Sequence, residues 1–194
     1  MIKVILSGAI AYLLGSVTFG MIIPKLMGSD KDIRKEGSGN VGATNVLRTQ
    51  GKTQGILVLI CDLMKGCAAA GIGLILAGPA GGGAAGVCAM LGHCYPLYFG
   101  FKGGKGVATG GGVVLVLFPK AMLILIPVFV IVILITRMVS AGSIAGATAL
   151  AVCVWLFHQP WPVAGCCVFA AIMVVWKHNG NIRRILAGTE NKLF

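Results

Sequence analysis

Seven apolar runs, separated by short polar segments, determine what this chain can fold into. The runs cover residues 4–23, 55–77, 84–99, 107–118, 121–135, 141–157 and 163–176. Because each membrane-crossing helix takes about 20 residues, several crossings leave no room for a separate soluble domain. Hydrophobic residues form 57% of the chain and charged residues only 11%, whereas a soluble domain carries about 25% charged residues. The sequence predicts an all-α integral membrane protein with seven transmembrane helices, forming a single domain over residues 1–194.

The first and fourth runs are the least typical spans. The first follows Lys3 and resembles a signal peptide, but it is longer than the core of such a peptide and has no small-residue cleavage site. We interpret it as an uncleaved span. The fourth run, 107–118, is short and rich in glycine. It tilts, includes residues from 104 onward, or is re-entrant, and these possibilities stay open.

The basic residues predict the orientation of the chain. There are 16 Lys and Arg residues against 5 Asp and Glu, and most of them lie in segments 24–54, 100–106 and 136–140 and in the tail after residue 176. Because basic loops stay in the cytoplasm, we expect the N-terminus outside and the C-terminus in the cytoplasm. Aromatic residues are sparse, so the net charge of +11 indicates an anionic substrate or lipid surface and no nucleic-acid partner.

The seven cysteines have the distribution of packing residues. They occur at positions 61, 67, 88, 94, 153, 166 and 167, nearly all within apolar runs, and no two have C-x-x-C spacing. An odd number without such spacing argues against a disulfide framework or a zinc site. We expect small, buried, apolar side chains.

The first polar cluster, residues 37–48, has the composition of a phosphate-binding loop. Its three glycines, Gly37, Gly39 and Gly42, allow backbone N–H groups to converge on one anion. Short polar side chains and an arginine add donors: Ser38, Asn40, Thr44, Asn45 and Arg48. The glycines also match G-x-G-x-x-G, with Asp62 20 residues further on, but no strand precedes them, so a dinucleotide fold is disfavoured. A flexible loop that only connects two helices is the other alternative.

The second polar cluster, residues 101–109, predicts a second anion site. Its candidate binding residues are Lys102, Gly103, Gly104, Lys105 and Gly106, and an apolar run follows at once. A phosphate there would meet free N–H groups and the positive end of a helix dipole. The segment does not match the P-loop pattern.

The third polar cluster lies in the C-terminal tail and contains His178, Asn181, Arg184 and Glu190. Two spans separate the first cluster from the second, and four separate the second from the third, so all three should lie on the cytoplasmic face. The clusters hold many cations and few acids. Without a carboxylate cluster for a divalent cation, a metal-dependent kinase or phosphatase is disfavoured, and neither a metal nor another cofactor is expected.

Asp62 and Lys65 form an ionisable pair three residues apart within the second run. Each costs about 2.5–3.5 kcal/mol to insert into a membrane. The pair either faces a partner or polar cavity or neutralises itself and fixes helix packing, and the sequence leaves both interpretations open.

Acyl transfer from an activated donor suits such a cationic site. When phosphate is the leaving group, the protein must mainly position two phosphorylated molecules and stabilise an oxyanion. The His-x-x-x-x-Asp pattern of the soluble-type glycerolipid acyltransferases is absent. The residues five positions after the three histidines are Tyr98, Val163 and Arg183.

Segments 37–48, 101–109 and 178–190 together resemble the three signature motifs of the PlsY family of bacterial membrane acyltransferases, and the resemblance covers essentially the whole chain. It implies transfer of a fatty acyl group from acyl phosphate to the 1-hydroxyl of glycerol 3-phosphate, which gives lysophosphatidate and phosphate for phospholipid synthesis. It also implies seven spans in the bacterial inner membrane, an active site on the cytoplasmic face, and no obligate protein partner.

By the same resemblance, Arg48, Lys105, His178 and Asn181 are the expected catalytic residues. The expected substrate-binding residues are Gly37, Ser38, Gly39, Asn40, Gly42, Thr44, Asn45, Lys102, Gly103, Gly104, Gly106, Arg184 and Glu190. We hypothesise that a substrate phosphate accepts the proton of the attacking hydroxyl, with His178 or Glu190 as the competing bases. His178 could also only order the tail at the interface. A transporter of a phosphorylated or carboxylate metabolite is the alternative function, although the clusters share one face instead of lying at the membrane midplane.

Overall fold

The computed structural model describes residues 1–193, which contain helices and no strand. The nine α-helices are α1 Ile2–Ser16, α2 Phe19–Leu26, α3 Ala43–Gln50, α4 Lys52–Cys94, α5 Val107–Leu117, α6 Pro119–Thr136, α7 Val139–Leu156, α8 Trp161–Lys177 and α9 Asn179–Leu186. Two 3-10 turns, Ile33–Lys35 and Leu97–Phe99, lie in the connections.

Several of these helices have the length and apolarity of membrane spans. Within residues 1–193, α4 with its following turn, α6 and α7 qualify individually. The bent pairs α1–α2 and α8–α9 raise the number to five if each pair counts as one span. Helix α5 is apolar but has only 11 residues. Helix α6 exposes large apolar side chains such as Leu123 and Ile135, which are 78% and 76% exposed, and such a surface requires an apolar surrounding.

Helix α4 is folded back on itself at Ala77 and Gly78. Gly78 has a φ of 59°, in the left-handed region that favours glycine, so the chain forms two helical limbs, 52–76 and 79–94. A Cβ on Gly73 or Gly81 would overlap the backbone of the other residue, and this close approach brings the limbs together. The interval 78–83, which separates the second and third apolar runs of the sequence, is mostly helical, because residues 79–83 already belong to the second limb.

The two limbs of α4 form the centre of the molecule. Helix α1 approaches closely where Gly15 meets the backbone of Ala89, and α5 does so where Gly66 meets Thr109. Small residues permit such approaches between membrane helices. A hydrophobic cluster then joins the second limb to α6, α7 and α8, and it includes Met90, Phe118, Cys153 and Cys167. All seven cysteines are free thiols, and four of them are buried.

The first predicted span is also interrupted. Helix α1 ends at Ser16 and α2 begins at Phe19, with an angle of 40° between the two helices. At the break, Val17 has an extended backbone. Helix α2 then passes so close to the first polar cluster that a Cβ on Gly20 would overlap the carbonyl group of Val41.

Candidate active site

The three polar clusters predicted from the sequence meet at one cavity of about 130 Å³. The beginning of α3, both limbs of α4, the beginning of α5, the middle of α6, the beginning of α7, α9 and the C-terminal tail all contribute to its wall. Its polar and charged lining residues are Ser38, Asn40, Thr44, Asn45, Arg48, Asp62, His93, Lys105, Ser140, Ser143, His178, Asn181, Arg184, Glu190 and Asn191. We call it the polar cavity.

Asn45 organises the first cluster from within. Its Oδ1 atom accepts a hydrogen bond of 2.9 Å from the N–H of Ser38, and its Nδ2 atom donates one of 2.9 Å to the carbonyl of Glu36. Gly37, with a φ of 56°, lies so close to Asn45 that a Cβ would overlap the amide. Some of the N–H groups expected to be free for an anion are therefore used inside the loop.

Two helix N-termini face the polar cavity. Gly42 and Thr44, at the beginning of α3, line it, and so do Gly106 and Val107 at the beginning of α5. The first N–H groups of a helix have no carbonyl partner within it, and the helix dipole places partial positive charge there. The cavity thus offers two separate groups of backbone donors to anions.

Three cationic side chains add to these donors. Lys105 donates a hydrogen bond to the Oδ1 atom of Asn181. Burial lowers the pKa of Lys105 to about 8, with Arg184 and Arg48 acting in the same direction and Glu190 against them. Arg48 is exposed and donates a hydrogen bond of 3.1 Å from Nη2 to the carbonyl of Asn191 in the C-terminal tail.

Glu190 is fully engaged by neighbouring donors. Its Oε1 atom accepts hydrogen bonds from Ser140 at 2.7 Å and Asn181 at 2.6 Å, and its Oε2 atom pairs with Arg184 at 2.7 Å. Burial alone would raise the pKa of Glu190, but these hydrogen bonds outweigh it and lower the pKa overall. The carboxylate is therefore a weak base that holds the tail against α7 and α9.

His178 lies at the junction of α8 and α9, beyond the apolar run 163–176, and is 3% exposed. Its Nδ1 atom is 2.7 Å from the carbonyl of Val174. Because a carbonyl only accepts, Nδ1 carries the hydrogen, and the neutral ring has its acceptor at Nε2. Burial, with the charge of Lys105, lowers the pKa of His178 to about 4.

The structure places five predicted residues outside the cavity wall: Gly37, Gly39, Lys102, Gly103 and Gly104. Gly37 and Gly39 have positive φ values and shape the first loop. Lys102 is exposed. Gly103 and Gly104 pack against His93, so a Cβ on Gly103 would overlap the His93 carbonyl and one on Gly104 would overlap its ring. Their requirement for glycine comes from packing against α4, not from the cavity.

Five polar or charged lining residues were not among the predicted site residues: Asp62, His93, Ser140, Ser143 and Asn191. Asp62 pairs with Lys65 at 2.8 Å and also faces the cavity, so both interpretations left open by the sequence hold in part. Ser140 and Ser143 lie in the apolar helix α7. Serine often occurs in such helices as a small packing residue, so the sequence did not single them out. Within residues 1–193, no group of three or more His, Cys, Asp or Glu side chains could hold a metal ion.

An apolar cavity of about 230 Å³ adjoins the polar one. Side chains from α4, α5, α6, α7 and α8 surround it, among them Leu63, Val114, Met122 and Leu150. Five residues border both cavities: Leu59, Val107, Ala108, Phe129 and Ser143. A molecule with a charged end and a long apolar chain would fit across this boundary.

A family model described as glycerol-3-phosphate acyltransferase matches residues 5–188. The chain belongs to this family. The resemblance to PlsY proteins is thereby confirmed. Similar proteins named glycerol-3-phosphate acyltransferase occur in Syntrophotalea carbinolica, with 43% identity over 94% of this chain and 93% of the relative, and in Shouchella clausii, with 46% identity over 94% and 92%.

Two crystal structures of PlsY, described as an integral membrane glycerol 3-phosphate acyltransferase, have the same fold. The glycerol 3-phosphate form has a TM-score of 0.91 and 39% identity, and the lysophosphatidic acid form has 0.90 and 38%. Each comparison covers 97% of this chain and 94% of the other. Together with its apolar helices, this likeness makes the chain an all-α, multi-pass integral membrane protein of the acyltransferase family.

Proposed function

We propose that this protein transfers a fatty acyl group from acyl phosphate to the 1-hydroxyl of glycerol 3-phosphate, forming lysophosphatidate and phosphate. One observation carries the proposal: two helix N-termini, with Arg48 and Lys105, line one polar cavity that adjoins an apolar one. This arrangement suits two phosphorylated substrates, one of which has a fatty chain. The names of the relatives and the ligands of the two PlsY structures support it.

In the proposed mechanism, the main contribution of the protein is to position the two phosphorylated substrates. Arg48 and the beginning of α3 bind one phosphate, and Lys105 and the beginning of α5 bind the other. The glycerol hydroxyl attacks the acyl carbonyl, a new C–O bond forms, and the bond from the carbonyl carbon to the phosphate oxygen breaks. Arg48, Lys105 and the oriented N–H groups stabilise the negative charge that develops on the carbonyl oxygen and the leaving phosphate.

The proton of the attacking hydroxyl passes to a substrate phosphate. Two features of the cavity support this assignment over a protein base. Glu190 already accepts three hydrogen bonds, and its pKa is lowered. His178 has an acceptor at Nε2, but with a pKa of about 4 it binds a proton more weakly than phosphate, whose second pKa is about 6.

The proposed topology has seven crossings of a bacterial inner membrane by the single domain 1–194. They are the pair α1–α2, the two limbs of α4, α5, α6, α7 and α8, with the N-terminus outside and the C-terminus in the cytoplasm. The basic loops support this orientation. Helix α5 has 11 residues and is about 16 Å long, roughly half of the apolar thickness of a bilayer, so in this topology residues from 104 onward complete the fourth crossing. The polar cavity, at the beginning of α5, then lies below the cytoplasmic surface.

One assay tests the reaction. Purified protein in detergent, given acyl phosphate and glycerol 3-phosphate, should release lysophosphatidate and phosphate with no sealed compartment present. Parallel reactions with acyl-CoA and acyl carrier protein thioesters should give no product. A transporter would form no product in detergent. Absence of turnover by well-folded protein would contradict the proposed function.

A further inference from the structure

A buried polar cluster that forms part of the wall of the polar cavity has no part in the mechanism above. It consists of Asp62 and Lys65 on the first limb of α4 and His93 on the second. Only 2%, 5% and 3% of these residues are exposed. The Oδ1 atom of Asp62 lies 2.8 Å from the Lys65 ammonium and 3.7 Å from Nδ1 of His93. The Asp62 carboxylate therefore lies close to side chains of both limbs of the hairpin.

The two ends of this cluster contact two breaks in the helical structure. At one end, the Lys65 ammonium donates a hydrogen bond of 2.6 Å to the carbonyl of Val17, where α1 is interrupted. At the other end, the backbone carbonyl of His93 accepts a hydrogen bond of 3.1 Å from Gly104. The imidazole also lies directly against Gly104, because a Cβ there would overlap Nε2. The residue that follows Gly104 is Lys105.

A cluster that served only stability would need neither buried charges nor a position in the wall of the polar cavity. Buried ion pairs are often replaced by apolar residues without loss of stability, so stability alone is a weak reason for an aspartate and a lysine at this depth. Moreover, Asp62 and His93 both line the polar cavity together with Lys105. The cluster thus joins the wall of the site to the loop that carries the half-buried Lys105.

We propose that Asp62 and His93 are positioning residues for Lys105. Lys65 neutralises Asp62 and fixes its carboxylate. The carboxylate orients the His93 ring, and the ring and carbonyl of His93 set the backbone at Gly104 so that the Lys105 ammonium reaches the phosphate. This inference deepens the proposed function and rests on it.

The first test removes both charges at once. In the double variant Asp62→Asn/Lys65→Met no unpaired charge stays in the membrane interior, so the protein should fold and keep a melting temperature near that of wild type. A small displacement of a catalytic group can reduce rates by about 100-fold. We expect KM for the substrate bound by Lys105 to rise about 10- to 100-fold, since a displaced ammonium weakens phosphate binding.

A merely structural role predicts a different result. Partial misfolding would reduce the active fraction, and hence the apparent kcat, but leave the KM of the surviving molecules unchanged. If the double variant had the same KM as the wild-type enzyme, the proposal would therefore be overturned. Turnover of the wild-type enzyme, measured in the same experiment, tests the proposed function separately. Absence of wild-type turnover would contradict the proposed function, whereas an unchanged KM in an active double variant would contradict only the positioning role.

A double-mutant cycle tests the contact between the ring and the loop. Gly104→Ala should displace the loop from the ring and raise the same KM, and His93→Ala should raise it by removing the ring. Because both changes disturb one contact, the combined variant should show a smaller rise than the product of the two single effects. Gly165→Ala, on α8 with open space at its Cβ position, is the matched control. Independent effects that multiply would contradict the proposed contact.

Discussion

The Lys105 ammonium donates a hydrogen bond to the Oδ1 atom of Asn181, although 76 residues separate them in sequence. The Nδ2 atom of the same amide donates to Glu190, so the lysine, the amide and the tail carboxylate form one connected chain. The ammonium is therefore held at the cavity before any phosphate is bound. A preorganised donor loses less conformational freedom on binding, which favours affinity.

Replacement of Lys105 by alanine should reduce kcat/KM by at least about 100-fold, because a charged donor to the phosphate is lost from a buried site. The variant should still be monodisperse and should melt cooperatively. Lys120→Ala serves as the matched control, since Lys120 is exposed at the beginning of α6. If Lys105→Ala kept wild-type rates, the second anion site would be wrongly assigned.

The pH profile should show loss of the same charge. Burial lowers the pKa of Lys105 to about 8, so the ammonium is present below that pH and is lost above it. We expect kcat/KM, which reports ionisations of the free enzyme, to fall as the pH rises through about 8. Residual activity of Lys105→Arg should lack this decrease, because arginine stays charged. An unchanged midpoint in that variant would assign the ionisation to another group.

His178→Gln distinguishes the two candidate proton acceptors. If the substrate phosphate takes the proton, the variant should keep at least about one tenth of the wild-type kcat, whereas loss of a general base costs about 100-fold or more. Any inflection near pH 4 that belongs to His178 should disappear from the pH profile of kcat in this variant. His158→Gln, in an exposed turn, is the control. A near-complete loss specific to position 178 would make the histidine the base.

Glu190→Gln should destabilise the protein in a pH-dependent manner. The pKa of Glu190 is lowered in the folded state, so its stabilising effect is present above the carboxylate pKa of the unfolded chain and is lost as the pH falls through the folded value. The difference in melting temperature between wild type and variant should therefore be larger at neutral pH than in acid. Ser140→Ala, which keeps the carboxylate, should cost only about 1 kcal/mol. Equal melting temperatures at neutral pH would contradict a stabilising carboxylate.

The apolar cavity predicts control of acyl-chain length. Gly146 on α7 lines it and has open space where a Cβ would lie. Gly146→Leu should fill part of the cavity and reduce the rate with palmitoyl phosphate more than with decanoyl phosphate, since each excluded methylene forfeits about 0.8 kcal/mol of burial. Gly165→Leu, with similar open space but outside the cavity wall, should leave the ratio unchanged. An unaltered ratio in Gly146→Leu would exclude this cavity as the site of the chain.

The sequence predicted the helical membrane architecture and the meeting of the three polar clusters, because hydropathy and loop charge follow directly from residue type. Arg48, Lys105 and Asn181 do line one cavity, and their catalytic roles stay predictions. The position of the turn in α4 was less predictable. Nine successive residues from Gly78 are glycine, proline or alanine, and only the packing of Gly81 on Gly73 shows which of them turns.

Contacts between distant elements account for what the sequence did not reveal. Nothing in the segment around Ser140 indicates that its hydroxyl meets Glu190, 50 residues later. Likewise, Gly103 and Gly104 resemble phosphate-loop glycines, but their closest neighbour is His93 on the second limb of α4. Local pattern identifies residues that can bind an anion, whereas the fold decides which of them are in contact with it.

The border that Phe129 and Val107 form between the two cavities has a consequence for how the reactants meet. In the proposed reaction, each substrate keeps surroundings that suit it: the polyol phosphate arrives from water, and the hydrocarbon tail lies in the apolar cavity between the helices. The new ester is made at that boundary and leaves as an amphiphile already oriented like the leaflet it joins.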